Sequence, residues 1–186
     1  VNGVMAALLS ESGVIGVVGP VPAGDALLYI NGFIQGVQAT KPEATLQVAY
    51  TGSFGDTAAA AETAQTQIAA GADVLTGSAQ QVVGAIEAIQ AAGGYWFGTQ
   101  SDQSAQWPQT VVASQVFNWT PVLGHMVELI TQGTLGGQAY SLTLSNGGLK
   151  IVYGGVALDQ AIVDAANAAI EGVASGASEV TQALPG

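Results

Sequence analysis

The sequence predicts an α/β fold: a parallel sheet flanked by helices, with a C-terminal hairpin and helix. Short apolar runs such as residues 14–18 (VIGVV) alternate with amphipathic helical patterns. Apolar runs of this kind are typical of strands buried on both faces, and their alternation with helices indicates parallel strands joined by crossovers. Near the end of the chain, Asn146-Gly147 separates two apolar runs, which is a strong hairpin signal.

Each element follows from the same patterns. Strands are predicted at residues 14–18, 45–50, 74–76, 95–99 and 111–114, and the hairpin at residues 140–144 and 149–153. Helices are predicted at residues 2–10, about 25–39, 57–70, 80–92, 121–132 and 158–173. The residues placed on apolar helix stripes are, helix by helix, Val4, Ala7 and Leu8; Leu28, Phe33, Ile34 and Val37; Val82, Val83, Ile86 and Ile89; and Val122, Met126, Leu129 and Ile130. Residues 1–186 are predicted to form a single domain, with residues 175–186 as a loose C-terminal tail.

Charge is scarce and almost wholly negative. Charged residues make up 8% of the chain, against about 25% in a typical globular domain. Lys41 and Lys150 oppose thirteen acids, which leaves a net charge of −11. Such a surface has little with which to displace counterions, so nucleic acid is not expected as a partner. A globular chain that avoids charge this far is expected to work outside the cell.

The sequence lacks most of the side chains that enzymes use for catalysis. There is no cysteine, and His125 is the single histidine, placed mid-helix where a surface or packing role is favoured. The G-x-S-x-G motif of a serine nucleophile is absent, and the carboxylates are scattered singly rather than clustered as metal ligands. We therefore expect no enzyme activity, no metal site and no cofactor.

The connection after the second strand carries an aromatic residue, Phe54, followed by Asp56 as a predicted helix N-cap. Open α/β sheets bind ligands at the carboxyl ends of their strands. The segments expected to converge at that edge are residues 19–20, 51–56, 77–78 and 100–102. An aromatic ring beside small and polar residues suits a small-molecule pocket. The pattern leaves two interpretations of Phe54 open, a lid on the local core or a platform for a flat ligand.

Three short motifs resemble the basic membrane protein (BMP) family. Residues 50–56 read YTGSFGD, residues 71–74 read GADV and residues 101–104 read SDQS, in the order and spacing of that family. Its members are substrate-binding lipoproteins of ABC transporters and include purine-nucleoside-binding proteins. The resemblance covers nearly the whole chain. It implies the second lobe and C-terminal return segments of a two-lobed, type I periplasmic-binding-protein-like fold, without the first lobe.

The resemblance also implies roles for single residues. Phe54 matches the aromatic residue that stacks on the base, and Asp102 matches the second acid of the family's G-x-D-S-D-Q pattern. Gln100 replaces the first acid, which grips the ribose, and its amide can still hydrogen-bond a hydroxyl. A lysine of the family aligns with Phe117. The candidate ligand-binding residues are Ser53, Phe54, Gly77, Ser78, Gln100 and Asp102.

The leading functional expectation is an extracytoplasmic solute-binding protein of an ABC transporter, or its ligand-binding lobe, for nucleoside-like molecules. Its partners would be that small-molecule ligand and a membrane permease. The alternative is a self-assembling extracellular structural protein, a filament, tube or surface layer, that keeps the fold but has lost the ligand site. A nearly uncharged surface and an apolar face left by a missing first lobe would favour such a homo-oligomer.

Overall fold

The computed structural model describes residues 1–181, which contain one six-stranded sheet. The strands are β1 (Val14–Gly19), β2 (Thr45–Tyr50), β3 (Val74–Gly77), β4 (Tyr95–Gln100), β5 (Val111–Phe117) and β6 (Leu149–Tyr153). Their spatial order is β2-β1-β3-β4-β5-β6. The first five strands are parallel to their neighbours, and β6 is antiparallel to β5. The predicted α/β fold, a parallel sheet flanked by helices, is confirmed.

Helices lie on both faces of this sheet. They are α1 (Asn2–Leu9), α2 (Gly24–Thr40), α3 (Thr57–Ala69), α4 (Val82–Ala91), α5 (Thr120–Thr131) and α6 (Gln160–Ser175). α1, α2 and α6 share one hydrophobic core with the sheet, and α3 and α4 share the other. β4 serves both cores, with Phe97 in the first and Trp96 in the second, because successive side chains of a strand point to opposite faces. None of the helices within residues 1–181 is long and apolar enough to cross a membrane.

The predicted hairpin is wrong in its first arm. Residues 140–144 form no strand, and β6 pairs instead with β5, where Val116 lies opposite Lys150. The turn itself is present, with Gly147 at a φ of 70° and the Asn146 Oδ1 accepting a hydrogen bond from the Thr143 N–H. β6 forms its backbone hydrogen bonds with the free edge of β5, within the main sheet. This tertiary pairing prevails over pairing with residues 140–144, which precede β6 in sequence.

Several residues placed on buried helix stripes are exposed instead. Leu8 and Leu28 are each 45% exposed and Val83 is 39% exposed. In α1, Met5 and Ala6 are fully buried, and Ala7 of the predicted stripe is buried with them. The other predicted stripe residues of α2 and α4 are buried as expected: Phe33, Ile34, Val37, Val82, Ile86 and Ile89. Periodicity thus locates the buried face of these two helices but not its limits.

α5 leaves most of its apolar residues exposed. Val122 is buried, whereas a second set of apolar residues is between 36% and 60% exposed: Trp119, Leu123, Met126, Val127 and Ile130. These positions recur at i, i+4, i+7, i+8 and i+11, so they lie on one side of the helix. Met126 and Ile130 were predicted to be buried, and the structure corrects this because no layer of residues 1–181 covers that side of α5.

The predicted loose tail, residues 175–186, lies partly outside the described residues. Its last described residue, Thr181, is tied to α2: the Thr181 N–H donates to the Gln35 Oε1 at 3.0 Å, and the Gln35 Nε2 donates to the Thr181 carbonyl at 2.8 Å. The tail beyond Thr181 and the single-domain assignment of residues 1–186 stay predictions.

Candidate ligand-binding cleft

A cleft of about 320 Å³ opens beside the carboxyl ends of β1, β3 and β4. Its lining residues are Ala23, Gly24, Asp25, Ala26, Phe54, Ser78, Ala79, Gln80 and Gln100. β1 lies between β2 and β3, so the direction of the strand order reverses between β1 and β3. The crevice outside such a reversal is where open α/β sheets bind ligands. Three predicted ligand-binding residues, Phe54, Ser78 and Gln100, meet in this cleft.

Phe54 lies outside both hydrophobic cores, and 53% of it is exposed. Its loop is nevertheless held in place. The Ser53 Oγ accepts hydrogen bonds from the N–H groups of Gly55 and Asp56, each at 3.2 Å. Asp56 in turn caps α3 by accepting from the Ala59 N–H at 3.0 Å, which confirms the predicted N-cap. A ring that is exposed on an ordered loop contributes little to core packing and is available to a ligand.

Gln81 anchors this loop to the start of α4, and sequence reasoning missed it. The side chain is fully buried, and its Oε1 accepts a hydrogen bond from the Thr51 Oγ1 at 2.5 Å. The Gln81 N–H donates to the Phe54 carbonyl at 2.9 Å. Both bonds hold the Phe54 loop against the segment that carries Ser78. A polar residue at the start of a helix resembles a surface residue in sequence, so no signal distinguished it.

Backbone strain concentrates in the cleft. Within residues 1–181, the residues other than glycine that have a positive φ are Ala79 at 72° and Gln100 at 74°. Both line the cleft. A side chain in this left-handed region costs roughly 1–2 kcal/mol, and such positions are concentrated at ligand sites. The positive φ angles of these two residues turn the chain after β3 and at the end of β4, where the cleft is formed.

Three predicted site residues do not line the cleft. Gly77 is tightly packed inside the sheet, as shown by the 2.5 Å that would separate a Cβ at this position from the Val18 carbonyl oxygen. The Asp102 Oδ1 accepts hydrogen bonds from the Ser104 N–H at 2.9 Å and the Ser104 Oγ at 2.7 Å, within its own turn. Ser53 shapes the Phe54 loop through the contacts given above. Ligand contact by these three residues stays a prediction.

The start of α2 is the part of the cleft that sequence reasoning did not assign. Residues 23–26 line one side of it, and Asp25 is exposed there. The sequence signal was an acid at a helix start, which is common because acids at N-termini favour the helix dipole. Its relation to the cleft depends on β1 lying beside β3 in space.

A larger groove of about 510 Å³ adjoins the cleft through Asp25. Its wall includes Phe117 and Trp119, whose rings meet edge to face with centroids 6.2 Å apart. Residues 140–144, the failed hairpin arm, lie along the same groove. Phe117, which aligns with the lysine of the resembled family, therefore contributes its ring to this groove and not to the cleft.

A buried polar network ties α1 and α2 to the strands beneath the cleft. The Tyr29 hydroxyl lies 2.8 Å from the Thr76 Oγ1 and accepts a hydrogen bond from the Asn2 Nδ2 at 3.1 Å. The Asn2 Nδ2 also donates to the Gly98 carbonyl at 3.0 Å. Thr76 and Gly98 lie two residues before Ser78 and Gln100. The network thus fixes the strand ends from which two cleft residues project.

We expect the free energy of unfolding to fall as the pH rises from about 10 to about 12. Burial raises the pKa of Tyr29 to about 12, whereas an unfolded tyrosine titrates near 10. In that interval the unfolded chain releases a proton that the folded chain keeps, so stability present below the unfolded pKa is lost, up to roughly 2–3 kcal/mol. Tyr29→Phe should flatten this slope in urea unfolding measured across the interval.

Tyr95→Phe is the control for this experiment. Burial also raises the pKa values of Tyr50 and Tyr153, so part of the slope should remain in Tyr29→Phe. An alkaline slope as steep in Tyr29→Phe as in the Tyr95→Phe control would contradict the assignment to Tyr29.

The described residues offer no obvious metal site. No group of three or more His, Cys, Asp or Glu side chains within residues 1–181 could hold a metal ion. The cleft is instead lined by an aromatic ring, small residues, amides, a hydroxyl and a carboxylate. These groups can stack on a flat molecule and form hydrogen bonds with its polar atoms.

A protein family described as ABC transporter substrate-binding protein PnrA-like matches residues 1–177. The chain belongs to this family. The match confirms the predicted resemblance to the BMP family, and the family is one of substrate-binding proteins. The match includes every lining residue of the cleft.

Two curated relatives are similar to this PnrA-like chain over part of their length. A purine-binding protein of Brucella abortus is 30% identical over 134 residues, which are 72% of this chain and 38% of that protein. A protein of Haloferax volcanii, provisionally named an ABC transporter glucose-binding protein, is 26% identical over 133 residues, which are 72% of this chain and 34% of that protein. The PnrA-like chain therefore spans little more than a third of either relative.

A solved structure agrees with the fold of the PnrA-like chain. An ABC transporter solute-binding protein from Conexibacter woesei superimposes with a TM-score of 0.77 at 24% identity. The superposition covers 97% of this chain and 61% of that protein. At this identity the likeness extends to the fold alone.

Proposed function

We propose that this chain is the ligand-binding lobe of an extracytoplasmic solute-binding protein of an ABC transporter, with a nucleoside-like ligand. One observation carries the proposal: the exposed Phe54 ring meets Ser78 and Gln100 in a cleft at the reversal of the strand order. The proposal involves binding and presentation to a membrane permease without bond chemistry.

The composition of the cleft suits a flat ring that carries a polar substituent. The Phe54 ring can stack on a base, an interaction worth roughly 1–3 kcal/mol. Gln100 offers both a donor and an acceptor, and Ser78 offers a hydroxyl. Both side chains can therefore hydrogen-bond a neutral polar group such as a hydroxyl or a ring nitrogen.

One of the two relatives supports this ligand class. The name of the Brucella abortus protein specifies purine binding, and that of the Haloferax volcanii protein specifies glucose. A nucleoside combines a purine or pyrimidine with a sugar, so an aromatic platform beside hydroxyl-binding groups is consistent with the first relative. Glucose lacks a flat aromatic ring, so its contact with Phe54 would be made by the C–H groups on one face of the sugar.

Calorimetric titration of the chain with adenosine, guanosine, inosine and glucose tests the proposal. We expect heat from at least one nucleoside and a weaker signal from glucose. A glucose affinity above that of all three nucleosides would assign the cleft to sugars. No binding of any nucleoside would refute the nucleoside proposal.

The exposed side of α5 favours a second candidate, a structural protein that assembles with copies of itself. Leu123, Val127 and Ile130 are 55%, 60% and 56% exposed and lie on one side of the helix. Exposed apolar patches of this kind mark interaction surfaces. Each copy carries a net charge of −11, so contact between copies would rest on apolar burial that outweighs this repulsion.

We expect the chain to self-associate through α5. Replacing Leu123 and Val127 together with glutamine should reduce the association, because it removes apolar surface that contact would bury. Sedimentation velocity over a range of protein concentrations measures the effect. Leu8→Gln is the matched control, since Leu8 is 45% exposed on α1. A monomer at every concentration would exclude the structural candidate.

A further inference from the structure

The geometry points to a hydroxyl-binding subsite at the N-terminus of α2, in which Asp25 supplies the charged acceptor and Ser78 a second polar contact. This inference rests on the proposed function and deepens it. It moves the charged contact to the ligand from Asp102, where the family resemblance placed it, to Asp25. It also predicts that the cleft discriminates against phosphorylated ligands.

The N-terminus of α2 supplies hydrogen-bond donors to the cleft. α2 is 17 residues long, and its N-cap residue, Ala23, has no side chain that could cap the helix. The first N–H groups of a helix have no partner within the helix. Gly24, Asp25 and Ala26, which carry such groups, all line the cleft. A ligand oxygen placed there could accept these hydrogen bonds.

Ser78 provides an independent sign of a ligand. The residue is 2% exposed and lines the cleft. Its backbone is bonded within the fold: its N–H donates to the Val18 carbonyl at 3.4 Å, and its carbonyl accepts from the Gln81 Nε2 at 3.5 Å. Its hydroxyl has no hydrogen-bond partner among residues 1–181. The hydroxyl therefore keeps its donor and its acceptor capacity for a ligand atom in the cleft.

Asp25 decides which ligand chemistry fits these donors. Among the residues that line the cleft, it is the ionisable one, and no lysine, arginine or histidine accompanies it. A phosphate could accept bonds from the α2 N–H groups, but it would be repelled by the Asp25 carboxylate and by a chain with a net charge of −11. A hydroxyl group both accepts from an N–H and donates to a carboxylate. The combination therefore selects the neutral hydroxyls of a sugar.

Asp102 is less suited to this role. Its Oδ1 already accepts two hydrogen bonds from Ser104, and it does not line the cleft. The Asp25 carboxylate accepts no hydrogen bond from another side chain or backbone group of residues 1–181. A matched acid for a test is Asp159, the N-cap residue of α6, which is exposed and lines neither the cleft nor the groove.

The test compares adenosine, 2′,3′-dideoxyadenosine and adenosine 5′-monophosphate as calorimetric probes of the chain and its variants. The unaltered chain should bind adenosine roughly tenfold or more tightly than either of the other two probes. Dideoxyadenosine lacks the hydroxyls that would hydrogen-bond the Asp25 carboxylate, and the phosphate of the monophosphate would be repelled by that carboxylate. Asp25→Asn should weaken adenosine binding by a similar factor. The same variant should leave dideoxyadenosine almost unaffected, since the hydroxyls that Asp25 would hold are absent from that probe.

Asp159→Asn is the control and should bind all three probes as the unaltered chain does. Thermal melts of both variants check that each is folded, and Asp25→Glu, which keeps the charge, should restore part of the affinity. Equal adenosine affinities for Asp25→Asn and the unaltered chain would overturn the inference while leaving the nucleoside proposal intact. Equal binding of adenosine and its monophosphate by the unaltered chain would overturn it as well. Failure of the unaltered chain to bind any nucleoside would instead contradict the proposed function from which the inference starts.

Discussion

Replacing Phe54 with alanine is expected to weaken nucleoside binding by roughly thirtyfold, which corresponds to about 2 kcal/mol. The ring is 53% exposed and lies outside both cores, so its removal should cost little folding stability. The loop that carries it remains held by the bond from the Gln81 N–H to the Phe54 carbonyl, which involves backbone atoms alone. Calorimetry with the tightest-binding nucleoside measures the loss.

Trp119→Ala is the matched control for this substitution. Trp119 is an aromatic residue of similar exposure, 54%, but it lines the neighbouring groove and not the cleft. Removing it should leave nucleoside affinity within a factor of about two, because unrelated surface positions contribute little. Phe54→Tyr should retain most of the affinity, since it keeps the stacking face. If Phe54→Ala bound nucleosides as tightly as Trp119→Ala, Phe54 would not be the stacking residue.

Replacing Gly84 with alanine is expected to lower the free energy of unfolding by about 3 kcal/mol. Gly84 lies within α4, where helix propensity alone would favour alanine by about 1 kcal/mol. A Cβ at this position, however, would lie 2.0 Å from the Thr57 carbonyl oxygen of α3, which is a backbone atom that cannot rotate away. α3 and α4 would have to separate, which would disturb the core they share with Trp96.

Gly124→Ala provides the opposite expectation within the same protein. Gly124 lies within α5, and nothing lies within 4 Å of the position its Cβ would take. Here propensity should prevail, and the free energy of unfolding should rise by roughly 0.5–1 kcal/mol. Urea denaturation of both variants measures the difference. A Gly84→Ala variant as stable as Gly124→Ala would mean that α3 and α4 do not pack as closely as the structure indicates.

The fold was largely predictable because hydrophobic periodicity is a local property. The first five strands and all six helices lie within a few residues of their predicted positions, and Asp56 caps α3 as its type and place suggest. The hairpin failed because local turn chemistry at Asn146 and Gly147 specifies the turn but not the partner of β6. That partner, β5, is separated from β6 by α5 and its connections, and sequence neighbours gave no indication of it.

The candidate site was predictable in part for the same reason. Phe54, Ser78 and Gln100 each follow a strand that the sequence reveals, so their convergence follows from parallel strands sharing one edge. The side of the cleft formed by α2 required the strand order, and the anchoring role of Gln81 required the packing of one loop against another. Neither depends on residues that are close in sequence.

Taken alone, the sequence determined the class of fold, the family and the edge of the sheet at which the cleft is found. Hydrophobic periodicity, turn residues and short motifs each involve residues close together in sequence, so each can be interpreted without knowing the rest of the chain. The tertiary structure decided which side chains share the cleft, that Gly84 has no room for a side chain, and which apolar side of α5 stays uncovered. Those outcomes depend on distances between segments remote in sequence, which are set by packing of the whole chain at close to crystal density.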